Sequence, residues 1–346
     1  MKNNQERLYE SIFGTSLSSE QEQRERIKVF LESLPENSEI EIDEEELEKA
    51  LSDNFYHKRA MAEHVLSLYQ EYFPTLPEIE FVFYNGGKVN IENQKNNIYI
   101  TDNWILFFRD VLVLLSSLEF TLQQKDNEGI GDNYLNLLIC IDTFCYRGKS
   151  GTSPYSKEID VNIKKLNGHF QELANLLFSI FAFAICHELS HIVLNHQYEE
   201  NDKRQREYEA DSHAYIMFLK LIEQFQNGET SHPMAISFQH YVACAPAIFM
   251  RIYEMIASFL YIVYNQKQSI EYPTFKQREN SLKRIVLGDL SIVEEYISNI
   301  PLYKLDNESN ELSQLFYDEI YTASEFFITE TALKKQRGKL KSIENM

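Results

Sequence analysis

A long apolar segment that ends in histidines is the feature that most constrains the fold of this chain. LLFSIFAFAIC, residues 176–186, runs without a break into HELSH, residues 187–191. An apolar run of this length with a polar end predicts a helix whose first half is buried in a core. Because that helix has to be covered by other elements, the chain must fold around it, and the histidines then face a cleft.

The composition is that of a mostly helical globular protein. The 346 residues are 44% hydrophobic and 25% charged, and only 11 are Gly and 8 are Pro, so few residues interrupt helices. The length suffices for one large domain or two smaller ones. A net charge of -20 repels phosphate backbones, so we expect no nucleic-acid partner.

Three features predict a cytoplasmic protein. The four cysteines are scattered and include no CxxC pair, which is typical of reduced thiols. The N-terminal sequence MKNNQERLYESIFGTS is polar and has no apolar signal core. No segment reaches the roughly 18 uninterrupted apolar residues that a membrane span requires, so we expect buried helices and no membrane span. The oligomeric state stays open.

The chain divides into two predicted regions. Residues 1–75 show apolar positions at helical spacing, and the two prolines of FPTLPEIE then interrupt this pattern. We therefore predict an N-terminal helical region over residues 1–75 and a second domain over residues 76–346. In the second domain we expect a small sheet within residues 79–146, then helices carrying the histidines over about 170–220, and further helices toward the C-terminus.

Strand signals are concentrated at the start of the second domain. IEFVFYNGGKVNI is rich in β-branched and aromatic residues and has NGG at its centre, which predicts a hairpin. NNIYIT predicts a third strand, and NLLICIDTF predicts another after a helical segment at 104–122. The chain is therefore predicted to be α+β and predominantly α-helical, with a small β-sheet next to the HELSH helix.

HELSH has the spacing of a helical metal site. His187 and His191 are four residues apart, so on an α-helix both imidazoles lie on one face, one turn apart, and can bind one ion. Glu188 is rotated by about 100° from His187 around the helix. It can therefore stand beside the ion and polarise a water molecule without binding the metal itself.

A third ligand is expected on a second helix, because two histidines and a water leave a tetrahedral zinc site incomplete. QREYEADSHAYIMF predicts a helix with Glu207 and Asp211 on one face, and we choose Glu207 as the third ligand. Asp211 would then accept the second ring N–H of a ligand histidine. Glu209 is expected to point to another face and to be solvated. Binding by Asp211 or Glu209 in place of Glu207 is the alternative.

HELSHIVLNH followed by REYEAD resembles the gluzincin pattern HExxH…ExxxD, and is most similar to zinc metallopeptidases of the HtpX and CAAX-prenyl-protease type. The resemblance implies a zincin-like core in which Glu188 is the general base and Asp211 lies outside the ligand shell. The zinc ligands that it implies are His187, His191 and Glu207. Unlike those relatives, the chain has no evident membrane spans, and it also resembles Lit-type phage-exclusion peptidases, which cut a host protein inside the cell.

A later segment, YPTFKQRENSLKRI, adds candidates for stabilising a transition state. Members of the HtpX-like family often have a His-Pro pair followed by Arg here; in this chain Tyr272 replaces the histidine and Arg278 keeps the spacing. Arg278 is therefore predicted to stabilise an oxyanion. The alternative is that Pro273 begins a helix with Arg278 on its solvated face. His232, in the His-Pro pair of SHPMAISF, is a rival candidate that lacks an Arg at that spacing.

The remaining histidines are expected to be structural. His196 falls where the HtpX-like family often has a histidine, but we expect His196 and His213 to cap or pack rather than to bind metal. His57 and His64 lie in a helical segment without a pattern of acidic partners. Cys186 directly precedes the motif and is expected to be a small buried residue.

These patterns together predict a zinc-dependent endopeptidase. The expected cofactor is Zn²⁺, and the expected reaction is hydrolysis of a peptide bond in an intracellular protein by metal-activated water, with Glu188 as general base. The expected partner is a protein or peptide substrate. The alternative is a non-catalytic binding or sensor protein on a zincin scaffold with structural zinc, for which a fourth protein ligand such as His213 would be typical. An all-helical interaction protein without metal is a third interpretation.

Overall fold

The computed structural model describes residues 56–84, 89–146, 170–196, 202–226, 244–286 and 307–337. Within these ranges the chain forms eight α-helices and three β-strands. In chain order they are α1 (Tyr56–Tyr72), β1 (Glu80–Tyr84), β2 (Ile91–Gln94), β3 (Asn97–Thr101), α2 (Asp102–Gln124), α3 (Asn127–Ile141), α4 (Phe170–Val193), α5 (Lys203–Gln226), α6 (Ala245–Tyr264), α7 (Phe275–Val286) and α8 (Asn307–Gln336), with a π-helical turn at Asp142–Tyr146 after α3. This architecture confirms the predicted α+β class with a predominance of helix.

Helix α4 is the centre of the core. It packs against α1, α2, α5, α6 and strand β2, so it is covered on most of its sides. Between Leu176 and Cys186 its sequence has one polar residue, Ser179, and therefore no face that is suited to water. The polar residues of HELSH follow at its C-terminal end, where the helix leaves the core.

Two helical segments have the length and hydropathy of a membrane span. They are Leu176–Val193 within α4 and Ala245–Tyr264, which is α6. The protein itself buries 83% of the first segment and 50% of the second. Core helices commonly share this composition, so the two segments are weak grounds for a membrane span. The expected absence of a span stays a prediction.

The sheet has the strand order β1-β3-β2, and its pairing differs from the predicted one. β1 pairs with β3 in parallel, and β2 pairs with β3 in the antiparallel direction. The predicted hairpin between the strands on either side of NGG is therefore wrong, because both of them pair with β3. The NGG residues, 85–87, lie outside the described ranges. The strand predicted in NNIYIT is confirmed as β3, whose buried Ile98 and Ile100 form the centre of the sheet.

The hairpin of this sheet joins β2 to β3. Gln94 pairs with Asn97, which leaves a two-residue turn, and Lys95 in that turn has a left-handed φ of 59°. Among the strands that the structure describes, β2 is consequently at an edge of the sheet, and it packs against α4. The sheet therefore lies next to the HELSH helix, as predicted.

The strand predicted in NLLICIDTF is wrong, because this segment forms the end of α3 and the π-helical turn. The buried side chains of Tyr134, Leu137, Leu138 and Ile141 recur at intervals of three and four residues, which is the helical period. The β-branched and aromatic residues of the segment are weaker local signals than this spacing. The sheet accordingly ends at Thr101 and does not extend to residue 146.

Helix α1 contacts the back of the HELSH helix. Tyr69 Oη lies 2.8 Å from the carbonyl oxygen of Cys186 and 2.8 Å from Ser190 Oγ. Ser190 Oγ also lies 2.9 Å from His213 Nδ1, so three elements share one buried polar network. The N-terminal acidic stretch and residues 1–55 as a whole lie outside the described ranges, and the domain boundary at residue 75 stays a prediction.

Candidate active site

Helices α4 and α5 bring His187, His191 and Glu207 to one point. His187 Nε2 lies 3.0 Å from His191 Nε2 and 3.5 Å from Glu207 Oε2, and His191 Nε2 lies 3.7 Å from Glu207 Oε1. Within the described ranges, these residues form the only group of three or more potential metal-binding side chains. The histidines meet because they are one helical turn apart on α4, and Glu207 meets them because α5 packs alongside.

The three donor atoms fit a zinc ion. Donors at about 2.0–2.1 Å from zinc in a tetrahedron lie about 3.3–3.4 Å from one another, and the separations of 3.0, 3.5 and 3.7 Å scatter around that value. Two imidazoles and one carboxylate are also the ligand set of a catalytic zinc site with an open fourth position. The arrangement is therefore compatible with metal binding, although it does not identify the metal.

His187 is held from behind by Asp211. Its Nδ1 lies 3.0 Å from Asp211 Oδ1, while its Nε2 faces the other two donors. Arg278 donates to the same carboxylate through Nε and Nη2, both at 2.7 Å, and its Nη1 lies 2.9 Å from Glu207 Oε2. Asp211 thus contacts the second ring nitrogen of His187, and Arg278 joins Asp211 to Glu207. The predicted role of Asp211 beside a metal ligand stays a prediction.

His191 has a different support, which the sequence analysis missed. Its Nδ1 lies 2.8 Å from His196 Nδ1, and His196 Nε2 lies 3.1 Å from Glu209 Oε2. Only 19% of the Glu209 side chain is exposed, so the expectation that Glu209 is solvated is wrong. The sequence signal was present: α5 has an acid at every second position from 207 to 211, which distributes carboxylates over two faces of the helix.

Strand β2 contacts Glu188, the residue that follows His187 in HELSH. The backbone N–H of Asn93 donates to Glu188 Oε2 at 3.1 Å, and the side-chain Nδ2 of Asn93 donates to the same oxygen at 2.6 Å. Burial raises the pKa of Glu188, and the Asn93 hydrogen bonds oppose that shift. Asn93 precedes Glu188 by 95 residues, and no motif in the sequence connects them.

The other transition-state candidates lie in three different environments. Arg278 is 8% exposed, so its alternative placement on a solvated helix face is wrong. Tyr272 is 43% exposed, and its ring centre lies 5.4 Å from Lys203 Nζ. His232 lies outside the described ranges. Thr274 and Gln277 cap the start of α7 reciprocally, which fixes the turn of helix that carries Arg278.

The electrostatics of the site favour a divalent cation. Glu188, Glu207 and Asp211 bring three carboxylates and Arg278 brings one cation, so two negative charges remain uncompensated when the histidines are neutral. Burial lowers the pKa of His187, but its hydrogen bonds with Asp211 and Glu207 outweigh burial and raise the pKa to about 9. At neutral pH the raised pKa leaves a proton on His187, which offsets one of the two charges; a dication bound to neutral histidines would replace that proton and offset both charges.

The carboxylates of α5 stay ionised in this environment. Burial alone would raise the pKa of Glu207. The charge of Arg278 and the neighbouring histidines outweigh burial and lower this pKa to well below its usual range. Arg278 likewise outweighs burial at Asp211 and lowers the pKa of that carboxyl. Burial and the charge of His187 lower the pKa of His191 to about 3, which keeps its imidazole neutral and able to bind a metal.

The three donors open into a cleft of about 490 Å³. Part of its wall is aromatic: Tyr253 stacks on Phe275 with ring centres 4.9 Å apart, and packs edge-on against Phe249. Trp104 Nε1 lies 3.3 Å from Tyr253 Oη. The cleft is thus able to receive an apolar or aromatic side chain beside the metal-binding group.

His213, the predicted fourth ligand of a closed structural zinc site, lies elsewhere. Its Nδ1 is bound to Ser190 Oγ, and its ring packs against Tyr69 and Phe73. Burial lowers the pKa of His213 to about 4, so it is neutral in the folded protein. The predicted packing role agrees with these contacts.

Part of the chain is similar to a family of peptidases. Residues 155–297 match the family model described as Peptidase U49. This segment contains HELSH, the acids Glu207, Glu209 and Asp211 of α5, and Arg278, and it covers less than half of the chain. No curated protein and no solved structure shows significant similarity to the chain. The match supports a peptidase function.

Proposed function

We propose that this chain is a zinc-dependent endopeptidase that hydrolyses a peptide bond in a protein substrate. The observation that carries the proposal is the convergence of His187, His191 and Glu207 in an open cleft, with Glu188 between the two histidines in sequence. The match to a peptidase family supports the reaction class. The geometry supports the gluzincin ligand set that the sequence predicts.

The roles of the side chains follow from their positions. A bound zinc ion would lower the pKa of a water molecule and polarise the carbonyl of the scissile bond. Glu188 takes a proton from the attacking water and then gives it to the leaving amine. Asn93 engages Oε2 of Glu188, so we assign the proton transfer to Oε1.

Arg278 is suited to positioning as well as to the predicted stabilisation of an oxyanion. Each of its three guanidinium nitrogens already contacts a carboxylate, through Asp211 or Glu207. Tyr253 is a further candidate donor on the cleft wall. The indole N–H of Trp104 can only donate, so Tyr253 Oη accepts that bond and its own proton is directed to another acceptor. Burial raises the pKa of Tyr253, which keeps the phenol protonated.

Strand β2 is the element that we propose for holding the substrate. It is the edge strand next to α4, and its residues Ile91, Glu92 and Asn93 line the cleft. An extended peptide can add to such an edge through backbone hydrogen bonds. Edge pairing would place the peptide in the cleft that His187 and His191 also line.

We further propose that the protein acts in the cytoplasm on an intracellular protein. Two of its four cysteines, Cys140 and Cys186, are buried free thiols. Buried free thiols are typical of a protein in a reducing compartment.

The test compares wild type with Glu188→Gln. Metal analysis of protein purified without chelators is expected to give about one zinc per chain in both forms, because the glutamate is not assigned as a ligand. The variant is then used to capture partners in cells, and the captured protein is incubated with wild type. Wild type should cleave it and the variant should not, while Glu63→Gln on the exposed side of α1 serves as the control. A zinc-loaded Glu188→Gln protein that cleaves at the wild-type rate contradicts the mechanism.

A further inference from the structure

The second nitrogen of His191 begins a chain of buried hydrogen bonds that the proposed reaction does not use. His191 Nδ1 contacts His196 Nδ1 at 2.8 Å, and His196 Nε2 contacts Glu209 Oε2 at 3.1 Å. His196 is 4% exposed, and both of its ring nitrogens are engaged. It therefore does more than fill space beside α4.

The end of helix α4 explains why His196 is in this place. Asn195 has a left-handed φ of 56°, its N–H donates to Ile192 O, and the N–H of His196 donates to His191 O. This pair of bonds is a Schellman motif, in which the chain folds back under the last helical turn. The motif brings the residue five positions after His191 beneath the imidazole of His191.

Further contacts fix both members of the chain. Arg206 Nη1 donates to the carbonyl oxygen of His196 at 2.7 Å. Gln205 Nε2 donates to Glu209 Oε1 at 2.9 Å, so the two oxygens of that carboxylate have different partners. A carboxylate fixed in this way can orient the ring that it binds.

The direction of every hydrogen bond follows if His191 binds a metal through Nε2. Nδ1 of His191 then carries the ring proton and donates to His196 Nδ1. His196 must accept with Nδ1, so its own proton lies on Nε2 and is donated to Glu209. All the hydrogen bonds in this series therefore donate in one direction, from His191 at the metal-binding point to the carboxylate of Glu209.

We propose that His196 and Glu209 form a positioning pair that sets the tautomer and orientation of His191 for metal binding; this inference rests on the proposed metal site. The two ligand histidines are then supported in two ways. Asp211 contacts His187 directly, whereas Glu209 acts on His191 through an intervening imidazole. Both carboxylates come from α5, the same helix that carries Glu207.

Zinc affinity is the measurement that tests the pair, through competition with a chromophoric chelator and without any substrate. His196→Phe keeps a planar ring but removes the acceptor, and we expect zinc to bind about 10–100-fold more weakly. Glu209→Ala should weaken binding in the same direction, and Glu209→Gln should lose less because it keeps an acceptor oxygen. Glu223→Ala, about four turns further along α5 and paired with Lys220, is the matched control and should bind zinc like wild type.

The double variant tests whether His196 and Glu209 act in series or as two independent contacts. If Glu209 acts through His196, His196→Phe combined with Glu209→Ala weakens zinc binding no more than His196→Phe alone. Additive losses would show that the two residues act separately and would overturn the proposal. Wild-type zinc affinity in both single variants would overturn the proposal as well. This holds even if the variants lower the melting temperature of the metal-free protein.

A measurement on wild type keeps the inference testable even if a variant fails to fold. Long-range ¹H–¹⁵N correlation spectra of the zinc-loaded protein should show His196 as the neutral tautomer with its proton on Nε2. A proton on Nδ1, or a doubly protonated ring, contradicts the assigned polarity. If wild type binds no zinc, the proposed function itself fails; if it binds zinc and His196 has the other tautomer, only this inference fails.

Discussion

Replacement of Asp211 by Asn removes one negative charge from the most heavily engaged carboxylate of the site and changes little else in size. Asp211 is 1% exposed and receives two hydrogen bonds from Arg278 at 2.7 Å and one contact from His187 Nδ1 at 3.0 Å. Asparagine has one oxygen and one NH₂ group. Because both neighbours present N–H groups, the NH₂ group must face a donor on at least one side.

Two losses are expected from this change. Breaking a buried, hydrogen-bonded ion pair typically costs about 3–5 kcal/mol, and we expect the free energy of unfolding of the metal-free protein to fall by about that amount. Loss of the group that orients a ligand histidine weakens metal affinity about 10–100-fold. At a zinc concentration of about 100 times the wild-type Kd, zinc stabilises wild type by about 2.7 kcal/mol, whereas a variant with about 100-fold weaker binding gains about 0.4 kcal/mol.

The assay is chemical denaturation with and without zinc, together with chelator competition. Asp318→Asn, on an exposed position of α8, is the control and should gain as much stability from zinc as wild type does. If Asp211→Asn also gains the full wild-type stabilisation from zinc, then Asp211 does not orient His187, and the assignment of its role is refuted.

Three further perturbations test other parts of the site. Asn93→Ala removes the side-chain donor that lies 2.6 Å from Glu188 Oε2, and should lower kcat/KM about tenfold, which corresponds to a charge-assisted hydrogen bond of about 1.5 kcal/mol. Zinc affinity in the chelator assay should stay unchanged. An unchanged kcat/KM would argue against this contact in the active state. Tyr253→Phe keeps the aromatic wall and should lower kcat about 100-fold with little change in KM if its hydroxyl stabilises the oxyanion; equal kcat would assign that role to another donor. The pKa of His213 is lowered to about 4 in the folded state, whereas a histidine in the unfolded chain binds a proton below about pH 6.5. The stability that a neutral His213 contributes is therefore complete above about pH 6.5 and is lost as the pH falls below it. Wild type should therefore lose roughly 2 kcal/mol more than His213→Gln between pH 7 and pH 5, and parallel denaturation curves for the two proteins would contradict this.

The parts of the site that sequence could predict are those set by helical spacing. His187 and His191 converge because four residues make about one turn, and Glu207 and Asp211 share a face of α5 for the same reason. The role of each residue in catalysis stays a prediction.

The parts that sequence could not predict depend on contacts between distant segments. Asn93 meets Glu188 only because β2 is the edge strand beside α4, and that placement depends on which strands pair. NGG is a strong local signal for a turn, but a turn signal does not specify the pairing partner, and the parallel pairing of β1 with β3 overrode it.

The misassigned segment NLLICIDTF shows a second limit of sequence analysis. A short apolar run is compatible with a buried strand or a buried helix, and the spacing of its neighbours decides between them. Here Tyr134 extends the three-and-four spacing backwards from Leu137 and Leu138, and a longer window would have favoured the helix. The position of His196 beside His191 could not be predicted from helical periodicity, because it depends on the turn at Asn195.

The backbone N–H of Asn93 can bind either Glu188 or a peptide that pairs with the edge of the sheet. A peptide that extends the sheet beside Asn93 needs the outward N–H that Glu188 Oε2 now accepts. Docking of such a peptide would therefore remove the backbone hydrogen bond, leave the Asn93 side chain to hold the carboxylate in place, and make the carboxylate a stronger proton acceptor. Such coupling would keep Glu188 a weaker base, and the protein less active, until a peptide docks, without any separate inhibitory segment.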